Sequence, residues 1–387
     1  MSVTAAKGFV AAGVKAHIRK DKKDVALVRS LARATGAAMW TQNRVQAAPV
    51  VVSKQHLELA QPQAVVINSG VANAATGEQG VADAIATAEH VATKLGLEPA
   101  EVLVLSTGVI GAPLPLERVL AGVDAAAAQL AAEGGTEAAE AILTTDTHAK
   151  EAVFHGAGFT VGGMAKGSGM IHPNLATMLA VVTTDYPLHP GEAIQFLQPA
   201  VDASFNSISV DGECSTNDAV VLLSSGAAQV ERSPAADEAF SLGVRTVCAD
   251  LAQQVVADGE GATLLAEITV TGAANAAEAR AIAQRIATSS LVKTALFGRD
   301  ANWGRVLAAA GSAPFNGGYA QLVPELVSLS YNGTPVLVAG APQNVEPPVE
   351  GGVCTIALDL GLGEGAAEYL TSDLSYDYVR INAEYRS

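Results

Sequence analysis

The chain has 387 residues, 49% of them hydrophobic and 16% charged, with a formal charge of −16. This composition excludes a disordered polymer and gives enough length for two or three domains around a large core. The acidic balance argues against nucleic acid as a partner, and no apolar run approaches the roughly 18 residues needed to span a bilayer.

In chain order, the N-terminal stretch Met1 to Gly8 lacks the apolar core of a signal peptide. Residues 1–60 carry ten Lys/Arg against three Asp/Glu, so the acidity lies downstream. The basic cluster Arg19-Lys20-Asp21-Lys22-Lys23 reads most simply as a solvated turn. Short Val/Ile-rich runs at 64–67, 102–105, 180–182, 219–223, 268–270 and 335–338 predict buried strands. Ala-rich stretches at 81–95, 114–142, 235–257 and 274–288 predict helices. Thr271-Gly272-Ala273 reads as a turn, and 311–318 and 342–352 as loops. Strands and helices alternate throughout, which predicts an α/β or α+β protein. Three widely spaced cysteines, Cys214, Cys248 and Cys354, fit a reduced cytoplasmic setting.

The stretch from Gly163 to Ala180 holds the most chemistry. A Gly-punctuated loop runs through Pro173-Asn174 into the apolar run Met178 to Val182, with Thr177 at the junction. If the Ala176–Thr177 bond breaks, Thr177 carries a hydroxyl nucleophile and a free α-amine on one residue. That amine has a reference pKa of about 7.7–8.0, so a useful fraction is neutral near pH 7 and can act as a base. The plainer reading is a β-branched residue that starts a strand.

The surrounding sequence decides between them by resemblance. Gly8 to Val14, Thr41-Gln42-Asn43-Arg44, Asn68 to Ala74 and Ser106-Thr107-Gly108-Val109-Ile110-Gly111 come first. Thr144-Thr145-Asp146-Thr147, Val210 to Asp218, Asp258 to Thr263, Phe297 to Arg305 and Arg380 to Tyr385 follow in order. Together with the Gly163–Ala180 stretch, these words closely resemble the bifunctional glutamate N-acetyltransferase / ornithine acetyltransferase family of arginine biosynthesis. Val71, Ala75 and Leu264 depart from the usual pattern, where Asn, Cys and Lys are typical.

The resemblance implies a self-cleaving N-terminal-nucleophile-type acyltransferase with the ornithine acetyltransferase / DmpA-like fold: α/β (α+β), with layered sheets and flanking helices. Cleavage at Ala176–Thr177 would give an α chain, 1–176, and a β chain, 177–387, assembled as an α2β2 heterotetramer. Thr177 would be the nucleophile, and the Thr107 hydroxyl and Gly108 N–H the oxyanion hole. Thr144, Lys166, Thr177, Glu260, Asn382 and Ser387 would bind substrate, with Lys166 suited to a carboxylate and Glu260 to an amine. The implied substrates are N-acetylornithine and glutamate. No metal and no tightly bound cofactor is expected: His148, His155 and His172 are scattered, and Gly259-Glu260-Gly261-Ala262 is too weak for a dinucleotide fingerprint. Acetyl-CoA as a donor is left open. So are two other readings, a self-processing amidohydrolase or aminopeptidase with the same nucleophile, and a non-enzymatic binding module.

Overall fold

Alternation of apolar residues along short strands builds this fold, because each strand of its central layers is covered on both sides. A computed structural model describes residues 2–172 and 178–384. Among them, one compact unit takes in the chain up to Asn206 together with Glu213–Val255, and a second takes in Ser207–Gly212 and the chain from Val256 onward.

The elements in chain order begin with β1 (Phe9–Val14), β2 (Val25–Ser30), β3 (Thr35–Trp40), α1 (Ala48–Leu59), β4 (Ala64–Val71), α2 (Gly77–Leu95) and β5 (Val102–Val109). Next are α3 (Leu116–Ala128), α4 (Gly135–Ala141), β6 (Lys150–His155), β7 (Thr160–Lys166), β8 (Leu179–Thr184) and α5 (Ala193–Asp202). The short β9 (Ile208–Ser209) precedes β10 (Ala219–Ser224) and α6 (Pro234–Ala257).

The first unit holds a four-stranded sheet, β1-β2-β4-β5, and a five-stranded sheet, β3-β10-β8-β7-β6. Val65, Ile67, Leu103 and Leu105 of the first sheet share one buried cluster with Met164, Leu179, Val181, Val221 and Leu223 of the second. The intervening residues Ala64, Val66, Val102 and Val104 point the other way, into a cluster with Val91 and Leu95 of α2 and Val123 of α3. Period-two alternation therefore feeds two apolar layers at once, which is why these strands read as unbroken apolar runs. On the outer face of the second sheet, a Cβ on Gly163 would lie 2.9 Å from both Val247 and Leu251 of α6. Phe240 of α6 stacks on Tyr186 with ring centroids 4.5 Å apart. The layering is helix, sheet, sheet, helix.

In the second unit the chain continues through β11 (Leu265–Ala273), α7 (Ala276–Ala287), α8 (Ser290–Phe297), α9 (Trp303–Ala310), β12 (Pro314–Phe315), β13 (Gly318–Tyr319) and β14 (Ser328–Tyr331). It ends with β15 (Thr334–Val338), β16 (Ala341–Pro342), β17 (Val353–Asp359), β18 (Gly365–Ser372) and α10 (Tyr376–Glu384). The main sheet has seven strands in the order β16-β15-β14-β17-β11-β18-β9. Ile268, Val270, Ile356 and Leu358 on one face of it pack against Ala279, Ile282, Ala283 and Ile286 of α7. The helix spacing i, i+3, i+4, i+7 gives the complementary stripe. No described helix is long and apolar enough to cross a membrane.

The α/β layering agrees with the sequence reading, and three local expectations need correction. The single helix expected over 114–142 is two, α3 and α4. Ala131 exchanges both backbone hydrogen bonds with Ala11 at 3.0 Å, and a Cβ on Gly134 would meet the Ala11 carbonyl oxygen at 1.9 Å, so the chain must break there to pair with β1. The turn expected at 271–273 is a bulge inside β11, with Gly272 at φ +67° and the register to β18 shifting between Val270 and Ala273. The loop expected from Gly163 begins only at Gly167, because Gly163 to Lys166 pair with β6 and β8.

Candidate active site

Strand register brings one end of the five-stranded sheet to a point. Lys166 of β7 stands opposite Leu179 of β8, Leu179 stands opposite Ala219 of β10, and Ala219 stands opposite Trp40 of β3. One residue beyond each pair, the Met178 N–H donates to Asp218 Oδ1 at 3.0 Å and the Thr41 N–H donates to the Asp218 carbonyl at 2.9 Å. Residues 173–177, which include Ala176 and Thr177, lie outside the described residues, as does Ser387. Met178, at the head of β8, is the first described residue after them.

Asp146 organises the next layer. Its Oδ1 accepts the Gly167 N–H at 2.7 Å and the Lys150 ammonium at 2.7 Å, and its Oδ2 accepts the Thr144 N–H at 2.9 Å. The Asp146 and Lys150 side chains are both fully buried. Burial alone would raise the Asp146 carboxyl, but the Lys166 and Lys150 ammonium groups and the Thr144 N–H hold it well below the usual carboxylate range. One ionised group thereby ties together Thr144, Lys150 and the Lys166–Gly167 corner. Thr145 and Ser168 join the same corner through a hydroxyl pair at 2.7 Å.

Arg19 corrects the solvated-turn reading of the basic cluster. Its guanidinium donates to the Thr144 carbonyl at 2.8 Å and also to the Leu143 carbonyl, bracing the Thr144 loop from outside. Lys20 and Lys22 of the same cluster are exposed, as expected.

Thr107 and Gly108 lie at the end of β5, beside a register shift at Gly70/Val71 of β4. Thr107 is buried at 4% exposure, and Gly108 has φ +131°. A bulge of this kind re-aims backbone and side chains at the edge of a sheet. The Asn217 amide joins this strand to the other sheet, donating to the carbonyls of Ser106 at 2.8 Å and Ala72 at 2.6 Å.

The first unit thus carries Thr107, Gly108, Thr144 and Lys166. Glu260 and Asn382 belong to the second unit and meet each other, with Asn382 Nδ2 donating to Glu260 Oε2 at 2.7 Å. Sequence reasoning gave no role to Asp146, Lys150, Asn217 or Asp218. The signal was present for two of them: a carboxylate inside Thr144-Thr145-Asp146-Thr147, and another directly before the apolar run of β10, where a charge is costly to bury.

The sequence profile of the ArgJ family matches residues 10–387. The chain belongs to the ArgJ family. An arginine biosynthesis bifunctional protein ArgJ from Symbiobacterium thermophilum is 47% identical over 400 residues, covering 100% of this chain and 98% of the relative. The protein of that name from Mycobacterium tuberculosis H37Rv is 47% identical over 397 residues, covering 100% and 96%. Among solved structures, a chain of the ornithine acetyltransferase of M. tuberculosis complexed with ornithine is 45% identical with a TM-score of 0.42, covering 44% of this chain and 94% of that one. The argJ protein of Bacillus halodurans gives 39% identity and a TM-score of 0.42, covering 45% and 94%. The end-to-end ArgJ match agrees with the resemblance read from the motifs.

Proposed function

We propose that this ArgJ-family chain is a self-cleaving acyltransferase of arginine biosynthesis. It moves the acetyl group of N2-acetyl-L-ornithine to L-glutamate, giving L-ornithine and N-acetyl-L-glutamate. The observation that carries the reading is the family match over residues 10–387.

Thr177 acts twice. In the precursor its Oγ attacks the Ala176 carbonyl carbon, the peptide C–N bond breaks, and the nitrogen takes the proton. Water then hydrolyses the resulting ester and leaves Thr177 with a free α-amine. In the mature enzyme Oγ attacks the acetyl carbonyl of acetylornithine while the α-amine accepts the hydroxyl proton, and ornithine departs as the amine. The glutamate amine then attacks the acetyl-Thr177 ester and Oγ leaves. Thr107 and Gly108 supply donors to the oxyanion of each step, and removing one such donor typically costs roughly 10²–10³ in rate. The buried setting of Thr107 and Lys166, at 4% and 2% exposure, favours this chemistry, because donors act more strongly where water is excluded.

Lys166 pairs with a substrate carboxylate, and Thr144, Glu260, Asn382 and Ser387 complete the contacts. Cleavage divides the chain into 1–176 and 177–387, which assemble as an α2β2 heterotetramer in the cytoplasm. The enzyme works without a metal or a tightly bound cofactor.

The test is the intact mass of wild type beside Thr177→Ala, followed by acetyl-transfer assays with and without glutamate. Fragments 1–176 and 177–387 in wild type only, with ornithine release that depends on glutamate, are the expected results. Acetate release without glutamate would replace the transferase with a hydrolase, and an uncut wild-type chain would remove the mechanism. Acetyl-CoA in place of acetylornithine in the same assay decides whether it serves as a donor.

A further inference from the structure

We propose that Ser375 is a positioning residue for the substrate contacts of the second unit. Its hydroxyl clasps the loop that carries Glu260 to the helix that carries Asn382, and so sets the pair of groups that a substrate amine would meet. The proposal rests on the reading that Glu260 and Asn382 are substrate contacts, and it adds to that reading the residue that fixes them.

Hydrogen bonds close a ring through Ser375, Tyr378, Asn382, Glu260 and Gly261. Ser375 Oγ donates to the Gly261 carbonyl at 2.6 Å and accepts the Tyr378 N–H at 3.3 Å. One hydroxyl thus caps the first turn of α10 and grips the residue after Glu260. The Tyr378 carbonyl accepts Asn382 Nδ2 at 3.1 Å, and the same Nδ2 donates to Glu260 Oε2 at 2.7 Å. Both hydrogens of the Asn382 amide are thereby used, one on its own helix and one on the loop. A displacement of the first turn of α10 is passed by this amide to the Glu260 carboxylate.

Close backbone approach and shallow burial make that hydroxyl decisive. A Cβ on Gly261 would lie 2.5 Å from the Tyr378 nitrogen and 2.8 Å from Ser375 Oγ, and Gly261 has φ +68°, so loop and helix meet backbone to backbone. No residue of α10 is buried, whereas Ser375 just before it is 5% exposed. Apolar burial therefore does little to seat the helix. Tyr376 sets its ring against Phe297 with centroids 5.3 Å apart, and the Tyr378 hydroxyl donates to Asp211 Oδ2 at 3.2 Å, but neither partner belongs to the Glu260 loop. The far end of that loop is held separately by Asp373, whose Oδ1 accepts the Thr263 N–H at 2.8 Å and the Leu264 N–H at 3.3 Å. At the Glu260 end the corresponding anchor is Ser375.

The experiment measures acetyl transfer by wild type, Ser375→Ala and Ser375→Thr, each alone and combined with Glu260→Gln. Ser375→Ala is expected to raise KM for acetylornithine about tenfold with kcat little changed, the size of one misplaced hydrogen bond to a charged group. Ser375→Thr keeps the hydroxyl and should restore KM to within about twofold of wild type. In the Glu260→Gln background Ser375→Ala should change KM by less than about twofold, because the group it positions is already gone. A merely structural cap predicts a lowered melting temperature with KM unchanged, or the same rise in KM in both backgrounds, and either result overturns the proposal. Gly261→Ala presses the loop off α10 while leaving the Ser375 hydroxyl in place, and it serves where Ser375→Ala does not fold. A similar rise in KM upholds the proposal there, and an unchanged KM overturns it. Glu260→Gln that by itself leaves KM unchanged would instead remove the reading on which the proposal rests, and the proposal with it.

Discussion

Gly108 lies so close to Gly70 that a Cβ on Gly108 would meet the Gly70 carbonyl carbon at 2.3 Å. The contact joins the ends of β4 and β5, and the φ of +131° at Gly108 is open to glycine and strained for other residues. Gly108→Ala must therefore push the two strands apart where the proposed oxyanion donors sit. We expect kcat for acetyl transfer to fall by about 10²-fold or more, and self-cleavage to slow with it, since both steps use the same donors. Steady-state kinetics and time-resolved intact mass check this. Wild-type rates in the variant would take the 108 N–H out of the mechanism.

Asp146 and Lys150 form a buried ion pair, and removing one member leaves the other uncompensated. Asp146→Asn should destabilise the protein by about 3–5 kcal/mol, the usual cost of breaking such a pair. Lys150→Met in the same chain should recover part of that loss, because the stranded ammonium goes with it. Urea denaturation of the two single variants and the double variant measures the coupling. Additive losses would mean that the carboxylate is held chiefly by Lys166 and the Gly167 and Thr144 N–H groups.

The sequence made some of this legible and concealed the rest for physical reasons. β4, β5, β8 and β10 announce themselves because both their faces are buried, so each contains an unbroken apolar run of Val, Leu, Ile and Ala. β1 (FVAAGV) and β3 (TGAAMW) are built from small residues where helix and strand pack closely, and Ala and Gly carry little strand preference. The break between α3 and α4 is decided by pairing with Ala11, more than a hundred residues away, which no local pattern reports. In the candidate site, the expectations for Thr107, Gly108, Thr144 and Lys166 come through the motifs. Asp146, Asn217 and Asp218 lie inside those same motifs, but only register places Asp218 beside Met178 and Asn217 beside Ser106.

Arg19 illustrates the same point from outside the motifs. Its planar guanidinium spans the carbonyls of Leu143 and Thr144, a geometry that lysine cannot reproduce. Arg19→Lys should loosen the Thr144 loop and leave the proposed nucleophile and oxyanion donors in place. Loss of one such hydrogen bond is worth about 1–1.5 kcal/mol, so we expect KM for acetylornithine to rise about tenfold with kcat little changed. A fall in kcat at constant KM would show that the loop serves the chemical step instead of binding.

Lys293 supplies a pH dependence in the second unit. Its ammonium is 3% exposed and donates to Thr371 Oγ1 at 2.9 Å and to the Ser372 carbonyl. Burial pushes it down to about 7, with Asp373 and Asp211 opposing. An unfolded lysine titrates near 10.4, so between pH 7 and that value the unfolded chain binds more protons than the folded one, and stability contributed through this group rises with pH. Below about pH 7 both states are protonated, and the full cost of burying the charge is present. Lys293→Met removes the titration, while leaving the Thr371 hydroxyl and Ser372 carbonyl short of a donor at every pH. The difference in melting temperature, variant minus wild type, should therefore be most favourable to the variant at pH 6 and decline steadily by pH 9. A difference that stays flat over that range would mean that Lys293 keeps its ordinary proton affinity in the folded state.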